Sequence, residues 1–346
     1  MNMSKHGEIM MSEIRQIPEI FSKIIANDQI TPQLASVITD SNIKSILVLA
    51  RGTSDNAAHF MKYLVETQLG LPCGLTSPSS VSIYNSKLHY ENTLVVAISQ
   101  SGKSTDLVQF AKASKESGAK LVSITNDSSS PLAQVADFHL SLQAGPEIAV
   151  AATKSYSAQL LLSYLLVMKW ANKAPQVEKL VSEAAAAIEQ ESVIKEVAGN
   201  LDLKGDLVVL GRGFAYPNAK EAALKIQETC KVNVHGMSTA DYQHGPISAL
   251  NVNSQVILLA PCCMPGNSMS DAVEKIRKIT KKIYWIGSGA EIATGETSLG
   301  GSCCADEITS SIVDAMLLQE LALHLSVANG LNPDAPEGLS KVTMTI

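Results

Sequence analysis

Three short, largely apolar runs without polar alternation recur at one fixed interval, and this constrains the fold more than any other feature of the chain. Ile46-Leu47-Val48-Leu49 leads into Arg51-Gly52, and Leu207-Val208-Val209-Leu210 leads into Gly211-Arg212-Gly213. Arg51 and Arg212 are 161 positions apart, as are Val96 and Ile257, and Val122 and Ile283. A constant offset across three runs marks two copies of one unit. Strands without polar alternation have both faces buried, which requires a parallel sheet with helices above and below it. The expected fold class is therefore α/β: two tandem doubly wound parallel-sheet domains of the flavodoxin-like sort. In such sheets a ligand sits beyond the carboxyl ends of the strands.

At 346 residues, 46% of them hydrophobic, the chain is long enough and apolar enough for two cores. The pattern predicts an N-terminal helical segment over 1–40, where Ile20, Phe21, Ile24 and Ile25 recur at helical spacing behind Pro18. A first domain follows over 41–175, a helical linker over 176–200, a second domain over 201–330 and a tail over 331–346. The stretch from Thr153 to Asn200 reads as one long helix closing the first domain and another bridging to the second. A net charge of −6 leaves no basic stripe for nucleic acid. An anionic ligand must then be held by backbone amides, hydroxyls and a few lysines. No apolar run approaches the ~18 residues of a membrane span, and the N-terminus has no charged-then-apolar signal. Cys73, Cys230, Cys262, Cys263, Cys303 and Cys304 lack the C-x-x-C spacing of a zinc or redox site. They are expected to be reduced and mostly buried, in a cytoplasmic protein that uses no metal.

One loop has the chemistry to hold a phosphate. Ser99-Gln100-Ser101-Gly102-Lys103-Ser104-Thr105 lies between a buried strand and a helix that Ser104 or Thr105 would begin. A helix start leaves backbone N–H groups unpaired at the positive end of the dipole. The serines and Gln100 add side-chain donors, and Gly102 permits close backbone approach. Ser54, after the first strand, would project into the same crevice. Two nucleotide motifs fail here. Gly102-Lys103-Ser104 ends like a Walker A loop, but Ala97 stands where its first glycine belongs. Gly211-x-Gly213 opens a dinucleotide fingerprint, but Tyr216 occupies the third glycine position.

The second half carries a titratable cluster. Glu221, Lys225 and Glu228 are spaced by four and three, so they share one helix face. On spacing alone that is the pattern of a solvated, salt-bridged surface. His244 follows in a Gly-Pro turn, Gln243-His244-Gly245-Pro246, and imidazole is a common proton-transfer group, suited to the ring opening of a sugar. The tail from Pro333 to Lys341 is irregular, yet it ends in the apolar-alternating Val342-Thr343-Met344-Thr345-Ile346. That alternation predicts a tail folded over a site, with Lys341 as a cation or amine there.

Taken in order, these segments resemble the sugar isomerase (SIS) family, and within it the isomerase half of glutamine–fructose-6-phosphate aminotransferases. The carrying segments include Arg51-Gly52-Thr53-Ser54, Ser99-Gln100-Ser101-Gly102 and Gly145-Pro146-Glu147-Ile148-Ala149-Val150-Ala151-Ala152-Thr153-Lys154. In the second half they are Gly211-Arg212-Gly213, Glu221 through Glu228, His244-Gly245-Pro246 and Leu339-Ser340-Lys341. The resemblance implies a phosphate held by Ser54, Ser99, Gln100, Ser101 and Ser104, and sugar contacts from Thr53, Val150 and Ser340. It implies Glu228 as the group carrying a proton between C1 and C2, with Lys225 steadying charge beside it. Lys341 would approach the carbonyl end. His244 would assist ring opening from the partner subunit of a homodimer. The chain departs from the aminotransferase pattern at Ser104, where threonine is found, at Ala152, where serine is found, and at Glu337, where arginine is found. With no glutaminase segment ahead of the unit, the expectation is a stand-alone deaminase that releases ammonia from glucosamine 6-phosphate without a cofactor. Galactosamine-6-phosphate deaminase, fructosamine-6-phosphate deglycase, aldose–ketose isomerase and a non-catalytic sugar-phosphate sensor are the alternatives.

Overall fold

The computed structural model describes residues 6–266 and 268–341. The apolar runs form parallel strands, as their lack of alternation requires. The first sheet contains β1 (Ser45–Leu49), β2 (Cys73–Leu75), β3 (Thr93–Ser99), β4 (Lys120–Thr125) and β5 (Phe138–Ser141), in the order β2-β1-β3-β4-β5. The second contains β6 (Leu207–Gly211), β7 (His235–Ser238), β8 (Gln255–Leu259), β9 (Lys282–Ile286) and β10 (Thr297–Ser298). Its order is β7-β6-β8-β9-β10, the same path as the first. Every strand pairing in both sheets is parallel. The repeat at one offset is thus a repeat of topology. Central β3 is buried along all seven residues, the consequence of helices on both its faces.

Ten helices of seven residues or more accompany the sheets among the described residues. They are α1 (Glu8–Ile14), α2 (Ile17–Ala26), α3 (Thr53–Gln68), α4 (Thr105–Glu116), α5 (Lys154–Trp170), α6 (Leu180–Ile188), α7 (Glu191–Asn200), α8 (Ala215–Cys230), α9 (Ser270–Ile279) and α10 (Glu307–Ala328). The stretch expected as a single bridging helix is two helices, α6 and α7, broken at Glu189-Gln190.

The chain divides into two compact units that are not simply sequential. The unit of the first sheet takes 20–147 and 154–175, with Ser340 and Lys341 from the tail. The unit of the second sheet takes 6–19, 148–153 and 176–339. The N-terminal segment is shared, with the division falling inside α2. Helices α6 and α7 lie with the second sheet and pack on α10. Helix α10 is long enough and apolar enough to cross a membrane by length and composition alone, although Asp314, Gln319, Glu320 and His324 are buried along it. It is the core helix of its unit instead, with 89% of its most apolar window buried inside the protein.

The expectation of six reduced cysteines fails at one pair. Cys262, just after β8, is disulfide-bonded to Cys303, in the segment leading into α10, with Cα atoms 5.2 Å apart. Sequence spacing could not reveal this, because the fold brings together two loops 41 residues apart. Cys73, Cys230 and Cys304 are buried free thiols, and Cys263 is exposed.

Candidate active site

In the unit of the first sheet, β3 delivers Ser99 to its carboxyl end, where the chain turns into α4. Ser99 Oγ accepts the amide of Gly102 at 3.1 Å, and Ser101 Oγ accepts that of Lys103 at 3.3 Å. Gly102 adopts φ +63°, and a Cβ there would lie 2.3 Å from Ser130 Oγ, so no other residue fits this turn. Its carbonyl accepts the Leu132 amide at 3.1 Å, and that of Gln100 accepts the Asn126 amide at 3.0 Å. These bonds brace the loop from the β4 side. Ser104 occupies the N-cap of α4, yet its hydroxyl makes no capping bond. The hydroxyl of Ser104 therefore stands uncommitted at the positive end of the α4 dipole, where an anion is favoured.

Ser54 comes from the first turn of α3, after β1. Its Oγ accepts from Gln159 Nε2 of α5 at 3.0 Å, and both residues are buried. Thr53 opens the same helix, half-buried, behind Gly52. Arg51 Nε reaches Asp106 in the first turn of α4 at 2.9 Å, tying the β1 loop to the β3 loop. The five residues expected to hold phosphate are thus distributed over the two adjacent loops that end β1 and β3.

The same unit holds Lys341. Its Nζ lies 2.9 Å from Glu147 Oε2, and the Glu147 side chain is fully buried. Glu147 also accepts the Ser155 amide at 3.0 Å and the Ser155 hydroxyl at 2.7 Å. Burial alone would raise the Glu147 pKa, but the Lys341 charge and the Ser155 hydrogen bonds hold it below its ordinary value. Ser340, beside it, is exposed. The tail that the sequence placed over a site is pinned at Lys341. The apolar alternation of residues 342–346 lies outside the described residues.

In the unit of the second sheet, the acidic-basic face of α8 is buried, contrary to the usual meaning of its spacing. The Lys225 side chain is 1% exposed and that of Glu221 3%, while Glu228 keeps 24%. Lys225 Nζ donates to Glu228 Oε2 and lies 3.6 Å from Glu221 Oε1. Thr229 of α8 reaches the Ala322 carbonyl of α10, and Ser326 of α10 reaches the Thr229 carbonyl at 2.8 Å. This packing against α10 takes the face out of water. A carboxylate fixed beside a buried ammonium and still open on one side has the arrangement of a proton carrier.

His244 lies apart from this face in sequence, in the exposed turn after the short helix Thr239–Tyr242, and Gly245 takes φ +142° behind it. The Val150 amide donates to the Asp334 carbonyl at 3.0 Å, an anchor for the tail within this unit. Glu147, Gln159 and Asp334 had been given no role by sequence reasoning. A glutamine interrupting the leucine-rich run of α5 was the available signal for Gln159. Glu147 stood inside a motif without a visible partner.

Residues 41–169 match the SIS domain family. The chain is 31% identical over 344 residues to a glutamine–fructose-6-phosphate aminotransferase of Methanothermobacter thermautotrophicus, a match that covers 97% of this chain and 57% of that protein. The chain thus spans under three fifths of the curated relative's length. Among solved structures, the C-terminal domain of glucosamine–fructose-6-phosphate aminotransferase from Francisella tularensis shares the fold. Its TM-score is 0.85 at 23% identity, covering 97% of this chain and 99% of that one. A glucosamine-6-phosphate deaminase from Thermotoga maritima shares it too, with a TM-score of 0.76 at 22% identity over 98% and 100% of the two chains.

Proposed function

We propose that this chain is a phosphosugar isomerase-type enzyme that releases ammonia from glucosamine 6-phosphate, giving fructose 6-phosphate. The observation that carries the reading is the buried Lys225–Glu228 pair on α8, in a chain that also has a hydroxyl-lined helix N-terminus suited to phosphate. Ser54, Ser99, Gln100, Ser101 and Ser104 hold the phosphate, and Thr53, Val150 and Ser340 contact the sugar. His244, contributed by the partner subunit of a homodimer, protonates the ring oxygen on opening. Glu228 takes the C2 proton of the open-chain aldose and returns it to C1, so the enolamine becomes a C2 ketimine. Water adds at C2 and ammonia departs, leaving the ketose phosphate. Lys225 keeps Glu228 oriented, and Lys341 attends the carbonyl end.

The names of the relatives, a glutamine–fructose-6-phosphate aminotransferase and a glucosamine-6-phosphate deaminase, support an amino-sugar phosphate over a plain one. The hydrolytic direction consumes only water. The enzyme acts in the cytoplasm without metal or organic cofactor in this reading. The test is ammonia and fructose 6-phosphate release from glucosamine 6-phosphate by wild type and Glu228→Gln. Turnover should fall by about 10³-fold in the variant with phosphate affinity retained. Galactosamine 6-phosphate and fructosamine 6-phosphate conjugates run alongside. Absence of ammonia from every hexosamine phosphate, with binding intact, would overturn the reading in favour of a sensor or plain isomerase.

A further inference from the structure

Lys103 is the only cationic residue of the 99–105 loop, and neither the phosphate contacts nor the proton transfer described above involves it. It follows the Gly102 turn and precedes Ser104, the N-cap of α4. Its own backbone amide donates to Ser101 Oγ at 3.3 Å, so it is built into the turn expected to hold phosphate. The loop lacks the full nucleotide-binding motif. Its Gly-Lys-Ser juncture nevertheless places a lysine where such loops place theirs, beside an anion at a helix start.

The ammonium of Lys103 rests near another anion. Nζ lies 3.7 Å from Asp127 Oδ2, in the loop that ends β4, and the two side chains are 56% and 38% exposed. Asp127 is held independently of the lysine, because its Oδ1 accepts the Ser129 amide at 2.9 Å and the Ser129 hydroxyl at 2.6 Å. Those bonds, and after them the Lys103 charge, keep the Asp127 pKa below its ordinary value, so it is a carboxylate at neutral pH.

Two ion pairs thus border the loop, and they differ in how easily they part. Arg51 Nε lies 2.9 Å from Asp106 Oδ2, and the Asp106 side chain is 1% exposed. Withdrawing Arg51 would strand a buried carboxylate, so that pair is fixed. The Lys103–Asp127 pair is longer than a hydrogen bond and lies in water, where such contacts contribute little. A phosphate monoester dianion carries more charge than a carboxylate and offers three oxygens to the three N–H donors of an ammonium. Lysine's flexible four-carbon stem lets Nζ exchange one anion for the other while the loop backbone stays in place.

We propose that Lys103 is a phosphate-binding residue parked on Asp127, and that its ammonium transfers to the phosphate dianion as the ligand seats on Ser101 and Ser104. The inference rests on the phosphate loop of the function proposed above and extends it. Asp127 competes with the ligand for one lysine, so removing the carboxylate and removing the ammonium change affinity in opposite directions.

The experiment is isothermal titration of the full chain with inorganic phosphate at pH 8 and low ionic strength. Lys103→Met should weaken binding about tenfold, through loss of one charge-assisted contact, and Lys103→Arg should retain most of the affinity. Asp127→Asn keeps an oxygen for Ser129 and should tighten binding roughly two- to fivefold, the worth of an exposed ion pair. In the Lys103→Met background the same substitution should change affinity by less than about twofold. Ser104→Ala reports on the loop itself. If it weakens phosphate while Lys103→Met stays within about twofold of wild type, the loop reading stands and the Lys103 proposal is overturned. A gain from Asp127→Asn that persists undiminished in the Lys103→Met background also overturns it, since the carboxylate then acts by repulsion alone. No phosphate binding by wild type at tens of millimolar would overturn both.

Discussion

Replacing Lys341 with alanine strips the counter-charge from Glu147 and leaves a carboxylate with no exposed surface. Removing one member of a buried ion pair costs roughly 3–5 kcal/mol, because the survivor is a charge out of water. Two features reduce that figure here. The Lys341 side chain is 23% exposed, so part of its attraction is already screened. The two hydrogen bonds from Ser155 also remain. The expected loss is about 2 kcal/mol at pH 7.

The pH dependence gives the sharper test. With Lys341 present, the folded pKa of Glu147 is depressed, so the stability it contributes is present above its ordinary pKa of 4.5 and is lost as pH falls through the folded value. Without Lys341, burial is the largest remaining influence and the folded pKa rises. The variant's penalty then vanishes in acid, where the carboxyl is neutral in both states, and grows as pH climbs past 4.5. The protein has two tryptophans, and Trp170 belongs to the unit that holds this pair. Urea denaturation followed by tryptophan fluorescence in a Trp285→Phe background therefore reports on that unit alone. The variant should be about 2 kcal/mol less stable at pH 7, with the gap narrowing steadily as pH falls toward 4, and adding Glu147→Gln should recover about half the loss. A loss that stays constant from pH 4 to pH 7, or one below about 0.5 kcal/mol throughout, would refute the buried-pair reasoning.

Two further perturbations follow from the same geometry. Gly102→Ala forces a Cβ to within 2.3 Å of Ser130 Oγ at φ +63°. It should weaken binding of inorganic phosphate by tenfold or more, measured by titration, while Ser101→Ala, which leaves the turn intact, weakens it less. Asp314, fully buried and hydrogen-bonded by Ser302, has its pKa pushed by burial up to about 7. A raised acid pKa means the folded state keeps its proton, so stability falls as pH rises from about 4 to 7 and then levels off. Asp314→Asn should flatten that slope in denaturation midpoints measured from pH 5 to pH 8, and an unchanged slope would show that Asp314 is ionised in the folded protein.

The sheets were legible in the sequence because their signal is local and repeated. A strand buried on both faces must be apolar throughout, and the matching runs in β1 and β6, β3 and β8, and β4 and β9 carry that requirement at a constant spacing. The loop after β3 was legible for a related reason: strand, glycine turn and helix cap are neighbours in sequence, so Ser99, Gly102 and Ser104 can be read together. What stayed hidden depended on partners distant in the chain. Glu147 and Lys341 are 194 residues apart, and neither residue type announces the other. The disulfide between Cys262 and Cys303 is hidden in the same way.

The face of α8 shows why even a clear motif can mislead. A Glu-Lys-Glu series at spacings of four and three is identical whether water or protein lies opposite. The difference here comes from α10, which packs along α8. The burial of Lys225 then follows from packing, and the burial forces the ammonium to keep a carboxylate at hand. Lys225 is therefore not a surface lysine that happens to meet Glu228. It is a charge the fold can retain only with Glu228 and Glu221 beside it, so the position of the proposed proton carrier is set by the packing of α10 as well as by the chemistry it is to perform.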